Sequence, residues 1–109
     1  MKVKYRVKTN EDFQKIIRDN KKINSRSFVL YYKSNDFEHA RIGISTSKKL
    51  GNAVLRVKTR RQMRMMAKEV IDFSKRIDII IIVKKNYLEN TYSQNKEELA
   101  KLFLKVKEN

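Results

Sequence analysis

The chain of 109 residues predicts an α+β domain: a single sheet of three to four strands packed with three helices, in the order α-β-β-(β)-α-β-α. Three observations carry this. Three segments repeat apolar residues at helical spacing. Three others are short, rich in β-branched and aromatic residues, and bounded by polar turns. No linker, internal repeat or low-complexity stretch divides residues 1–109, so one domain with one modest core is expected.

Thr9 to about Asn20 reads as the first helix. Thr9 can cap it, Asp12 stands three residues on, and Phe13, Ile16 and Ile17 form an apolar face. Whether Val3 to Val7 adds a short strand before it is left open. Ser27 to Lys33 reads as a strand with Phe28, Leu30 and Tyr32 on one side and Val29 and Tyr31 on the other. Ser34 to His39 is polar and reads as a turn, which makes Ala40 to about Ser47 the second arm of a hairpin. A long helix starts near Gly51 or Asn52 and runs to Phe73 or Ser74. Ile77 to Val83 is a β-branched run expected at the centre of the sheet. Thr91 and Gln94 have the spacing of a capping box for the last helix, with Leu99, Leu102, Phe103 and Val106 on one stripe.

The long helix is the most informative segment. From Lys48 to Lys68 the chain places eight basic residues and no acidic one, over half of the formal net charge of +15. Stepped at about 100° per residue, Leu55, Thr59, Met63, Met66, Val70 and Phe73 share one side. Arg56, Lys58, Arg60, Arg61, Arg64 and Lys68 spread over the other. Mixed-sign faces gain from i,i+4 pairs, whereas this one has no acid until Glu69, so its like charges repel. A polyanion relieves that repulsion, and nucleic acid is the expected partner.

Composition excludes several classes. There is no cysteine, hence no disulfide scaffold, thiolate metal site or cysteine nucleophile. With two glycines, Gly43 and Gly51, no glycine-rich phosphate loop is possible. The N-terminal residues lack an apolar signal segment, and the longest apolar run, Ile79 to Val83, is far short of a membrane span. A cytoplasmic protein with no membrane partner is expected. His39 has no second histidine or cysteine and reads as a surface residue. Asp72 and Asp78 flank a turn, and Glu97 and Glu98 are expected to face solvent on the last helix, so no carboxylate cluster suggests an autonomous nuclease.

The run Arg41-Ile-Gly-Ile-Ser-Thr-Ser-Lys-Lys-Leu-Gly-Asn-Ala-Val-Leu-Arg56, followed by Arg60-Arg61 and Arg64, resembles the signature of the bacterial ribonuclease P protein subunit family. Its surroundings agree: Tyr5 to Lys8, then Asp12-Phe13-Gln14, then the strand Arg26 to Tyr31. The resemblance spans roughly residues 4 to 106. It implies a fold with a left-handed βαβ crossover. It implies a protein cofactor of a ribonucleoprotein endonuclease, in which a catalytic RNA hydrolyses the phosphodiester that frees the mature 5′ end of precursor tRNA. Mg2+ is then bound mainly by that RNA, and this chain has neither catalytic nor metal-ligating residues.

Residue by residue, the resemblance places Ser47, Lys48, Lys49, Asn52, Arg56, Lys58, Arg60, Arg61 and Arg64 against the catalytic RNA. It places Phe13, Ile17 and Tyr31 in a cleft that holds the 5′ leader. Single strands are gripped by aromatic platforms beside cations, which fits such a cleft. On the residues alone, Phe13 and Tyr31 could equally be core, and Asn52 could be an N-cap only. Where the family has Arg-Asn-Arg, this chain has Arg56-Val57-Lys58. The alternative function is a ribosomal or general RNA-binding protein. A DNA-binding regulator is disfavoured by the strand-rich first half.

Overall fold

The computed structural model describes residues 2–19 and 21–106. After a 3-10 turn at Val3–Tyr5 come α1 (Asn10–Arg18), β1 (Lys22–Asn24), β2 (Phe28–Ser34) and β3 (Arg41–Thr46). A 3-10 turn at Lys48–Leu50 leads into α2 (Ala53–Val70). Then follow β4 (Ile77–Val83), a 3-10 turn at Lys85–Glu89 and α3 (Tyr92–Leu104). The predicted order α-β-β-(β)-α-β-α is found with its optional strand present; the expected end of the first helix at Asn20 lies outside the described residues.

The four strands form one open sheet in the order β1-β2-β4-β3. β4 is antiparallel to β2, with Leu30 opposite Ile81, and parallel to β3, with Gly43 opposite Ile80. The expected hairpin between the second and third strands is therefore wrong. β4 lies between them because all its residues except the partly buried Ile82 are fully buried, so it needs a neighbour on each edge and a helix layer on each face. The hairpin is instead β1–β2, whose first strand, Lys-Ile-Asn, is short and mostly polar and was missed. Val3 to Val7 adds no full strand: Arg6 forms a single parallel bridge to Ile42, and the Val7 N–H donates to the Ile42 carbonyl at 3.0 Å.

The main core lies on one face of the sheet. Phe28, Leu30, Ile42, Ile77, Ile79 and Ile81 pack against Met63, Met66 and Ala67 of α2 and Leu99, Leu102 and Phe103 of α3. Each such side chain contributes roughly 1.5–3 kcal/mol by leaving water. On the opposite face α1 seals a smaller cluster of Val7, Ile16 and Ile80, with Phe13, Tyr31 and Ile82 partly buried against it. The faces predicted for the Ser27–Lys33 strand, Phe28/Leu30 against Val29/Tyr31, are those observed.

Helix ends follow their caps. The Thr9 hydroxyl accepts the Asp12 N–H, the Asn52 side chain accepts the Leu55 N–H, and Thr91 and Gln94 form a complete capping box. α2 stops at Val70, short of the predicted Phe73. The Asp72 carboxylate accepts both the backbone N–H and the hydroxyl of Ser74, which turns the chain. Phe73 consequently leaves the helical stripe and packs on Tyr5, their ring centroids 4.9 Å apart.

Candidate nucleic-acid interface

The basic segment is built as a rigid corner. Ser47 caps the 3-10 turn by accepting the Lys49 N–H at 3.1 Å, and buried Leu50 anchors that turn. Gly51 then takes φ +152°, a conformation that favours glycine, and Asn52 begins α2. Lys48, Lys49 and Asn52 are exposed on this corner. The first turn of α2 carries no acidic residue, so the positive end of the helix dipole adds to the lysines.

Along α2 the cations divide into two strips instead of the one outward face expected. Lys58, Arg61 and Lys68 are exposed, interleaved with Val54, Val57 and Met65, which are also exposed. Arg56, Arg60 and Arg64, spaced at i, i+4 and i+8, are half-buried. Arg60 donates to the Thr46 hydroxyl at 3.0 Å, which ties this strip to the end of β3. The Arg56 Nε is buried without a hydrogen-bond partner among the described residues. Burial pushes the Arg64 guanidinium below its ordinary pKa, and Arg6 and Arg60 push it further. Among the described residues no ion pair joins Arg56, Lys58, Arg60, Arg61, Arg64 or Lys68 to a carboxylate. Glu69, the first acid after the run, pairs with Lys96 of α3 at 2.7 Å instead. Among the described residues, then, the charge on α2 from Arg56 to Lys68 is left without a carboxylate partner.

On the α1 face, Phe13 and Tyr31 are both partly buried against the cluster of Val7, Ile16 and Ile80. Ile17 is half-buried on the same helix but stands outside that cluster. The sequence does not single out Val7 and Gly43, which line a recess with Phe13, or Ile82, which packs on the same cluster. The apolar alternation of Ile80 and Ile82 on the second face of β4 was the available signal for Ile82. Nothing local pointed to Val7 or Gly43.

Arg41 of β3 ties α1 to the sheet. Its Nε and Nη2 donate to the two oxygens of Asp78 at 2.9 and 2.6 Å, and its Nη1 reaches Asp12 of α1 at 3.5 Å. The bond to Asp78 outweighs burial and raises the Arg41 pKa. Asn35 also donates to Asp78, at 2.8 Å. Both carboxylates are therefore engaged by one guanidinium. Glu98 accepts the Ser25 hydroxyl and, at 2.8 Å, the Ser27 N–H, so it is not the solvent-facing residue expected. Among the described residues no three His, Cys, Asp or Glu side chains gather to hold a metal, and no helix is long and apolar enough to cross a membrane. His39 is also not a plain surface residue. It is half-buried, with Tyr5 edge-on at 5.2 Å and Phe37 stacked at 5.7 Å.

Comparison with known proteins gives a consistent result. A family model described as Ribonuclease P matches residues 1–107. The ribonuclease P protein component of Mesoplasma florum is 43% identical over 109 aligned positions, covering 96% of this chain and 97% of that protein. The solved RNase P protein of Staphylococcus aureus is 38% identical with a TM-score of 0.81, covering 92% of this chain and 93% of that one. The RNase P protein of Thermotoga maritima is 27% identical with a TM-score of 0.82, covering 94% and 97%.

Proposed function

The chain belongs to the ribonuclease P protein family, and from that premise we propose how its two surfaces divide the work of tRNA 5′ maturation. It is the protein subunit of a tRNA-processing endoribonuclease whose catalysis lies in the RNA, which sets aside the reading as a general RNA-binding protein. The corner Ser47, Lys48, Lys49 and Asn52, with Arg56, Lys58, Arg60 and Arg61 of α2, grips the catalytic RNA. The cleft of Phe13, Ile17 and Tyr31 receives the 5′ leader of precursor tRNA.

The observation that carries this division is the run of α2 cations without a carboxylate partner among the described residues, beside the partly exposed rings of Phe13 and Tyr31. Phosphate contacts from such a helix give affinity that is salt-sensitive and independent of sequence. The partly exposed rings of Phe13 and Tyr31 offer stacking worth roughly 1–3 kcal/mol per base, tolerant of leaders that differ between tRNAs. Mg2+ belongs, on this reading, to the RNA. Asp12 and Asp78, both engaged by Arg41, make a poor donor set. The reading places the complex in the cytoplasm, with RNA rather than DNA or membrane as partner.

The test is the RNA that co-purifies with the tagged chain from its own cells. Enrichment of one catalytic RNA together with tRNA precursors supports the proposal. Enrichment of ribosomal RNA alone contradicts it.

A further inference from the structure

By its place in the motif Arg64 reads as a contact to the catalytic RNA, yet the fold turns it towards the cleft. Arg64 and Arg6 line a recess of about 80 Å3 whose other walls are Val7, Phe13, Ile42, Gly43 and Ile44. Two guanidiniums from different elements, α2 and the N-terminal segment, thus share a small space with the aromatic ring of the cleft. Phe13 reaches it because Gly43 has no side chain: a Cβ there would stand 2.6 Å from Phe13 Cζ. Arg60, one turn before Arg64, is held aside by Thr46 at 3.0 Å. Asp12, the carboxylate next to Phe13, is bonded to Arg41 at 3.5 Å and does not neutralise the recess.

We propose that Arg6 and Arg64 form a phosphate site for the single-stranded leader, so that Arg64 serves the substrate and not the catalytic RNA. This rests on the assignment of the cleft to the leader. The recess is too narrow for a duplex, but one phosphodiester of an extended strand can enter it while a neighbouring base reaches Phe13. Two guanidiniums supply planar donor pairs to its oxygens, which a lysine would not. Lys58, Arg61 and Lys68, on the exposed strip of α2, remain available to the catalytic RNA.

The experiment uses the reconstituted ribonucleoprotein. Affinity is measured for a precursor tRNA with a short leader and for the same tRNA without one; their ratio is the leader gain. Arg6→Gln and Arg64→Gln should each cut that gain about tenfold, as loss of a charge-assisted contact does. The double variant should lose little more, since both side chains hold one phosphate. A methylphosphonate scan along the leader changes only the substrate, so it reads out even where a variant folds poorly. One position should cost the wild type its gain and leave Arg64→Gln unaffected. The proposal is overturned if the variants weaken binding of the chain to the catalytic RNA and spare the leader gain, or if no single leader phosphate matters. If the wild type itself shows no leader gain, the assignment of the cleft falls, and this site with it.

Discussion

Phe13 lies against Gly43, so closely that a Cβ on Gly43 would stand 2.6 Å from the ring and equally close to Ile80 Cδ1. The glycine of β3 thereby sets the depth at which α1 rests on the sheet, and with it the width of the cleft. Gly43→Ala should destabilise the fold by about 1–3 kcal/mol through overpacking. It should also push Phe13 outward and weaken binding of leader-bearing substrates. Urea denaturation and leader-dependent affinity check the two effects separately.

Arg41 and Asp78 form a nearly buried pair, with side chains 13% and 8% exposed. Asp78→Ala should cost roughly 3–5 kcal/mol, since among the described residues it leaves the guanidinium with Asp12 as its one carboxylate. Arg41→Met combined with Asp78→Leu should recover most of that loss. The double variant should still loosen α1, because the tie from Arg41 to Asp12 is gone. Thermal melting of the three variants distinguishes these outcomes.

The buried Tyr87 hydroxyl hydrogen-bonds with Gln62 of α2 at 3.0 Å. Burial raises its pKa to about 12 from an ordinary 10. A group whose pKa is raised by folding contributes stability that is complete below the unfolded value and lost as pH rises. The fold should therefore weaken from about pH 10 upward, with the loss levelling off near pH 12. Tyr87→Phe should remove that alkaline step and cost about 1 kcal/mol at neutral pH. Denaturation midpoints measured from pH 8 to 12 give the sign directly.

Arg60→Ala removes one cation held by Thr46 at the end of β3. Affinity for the catalytic RNA should fall, and the slope of log affinity against log salt should flatten by about one unit. Tyr31→Ala should instead reduce binding of precursors with leaders more than of leaderless tRNA. Titrations across a salt series, with both substrates, separate the two surfaces.

What could be read from the chain was whatever is local. Thr9, Asn52 and Thr91 are caps whose partners lie three residues away, and all three perform that role. The apolar run of β4 marked a central strand. Strand order is a non-local property, and the wrong hairpin arose because a short polar connection is compatible with two strands that flank a third. β1 escaped notice because an edge strand needs little apolar character. The division of the basic helix depends on the shape of what it packs against. Arg56, Arg60 and Arg64 share a stripe with one another, but only the folded positions of β3 and of the segment at Arg6 show that Arg60 bonds Thr46 while Arg64 lines the recess beside Phe13. Val57 is exposed on the outer strip, and nothing in the structure explains its replacement of the family's asparagine.

The most direct test of a cationic scaffold serving an RNA catalyst is processing of precursor tRNA at low Mg2+ by three samples: the chain alone, the catalytic RNA alone, and both together. The account predicts mature 5′ ends only in the combined sample, with the RNA alone recovering as Mg2+ is raised. Correct 5′ maturation by the protein without RNA, or a catalytic RNA indifferent to the protein, would contradict it.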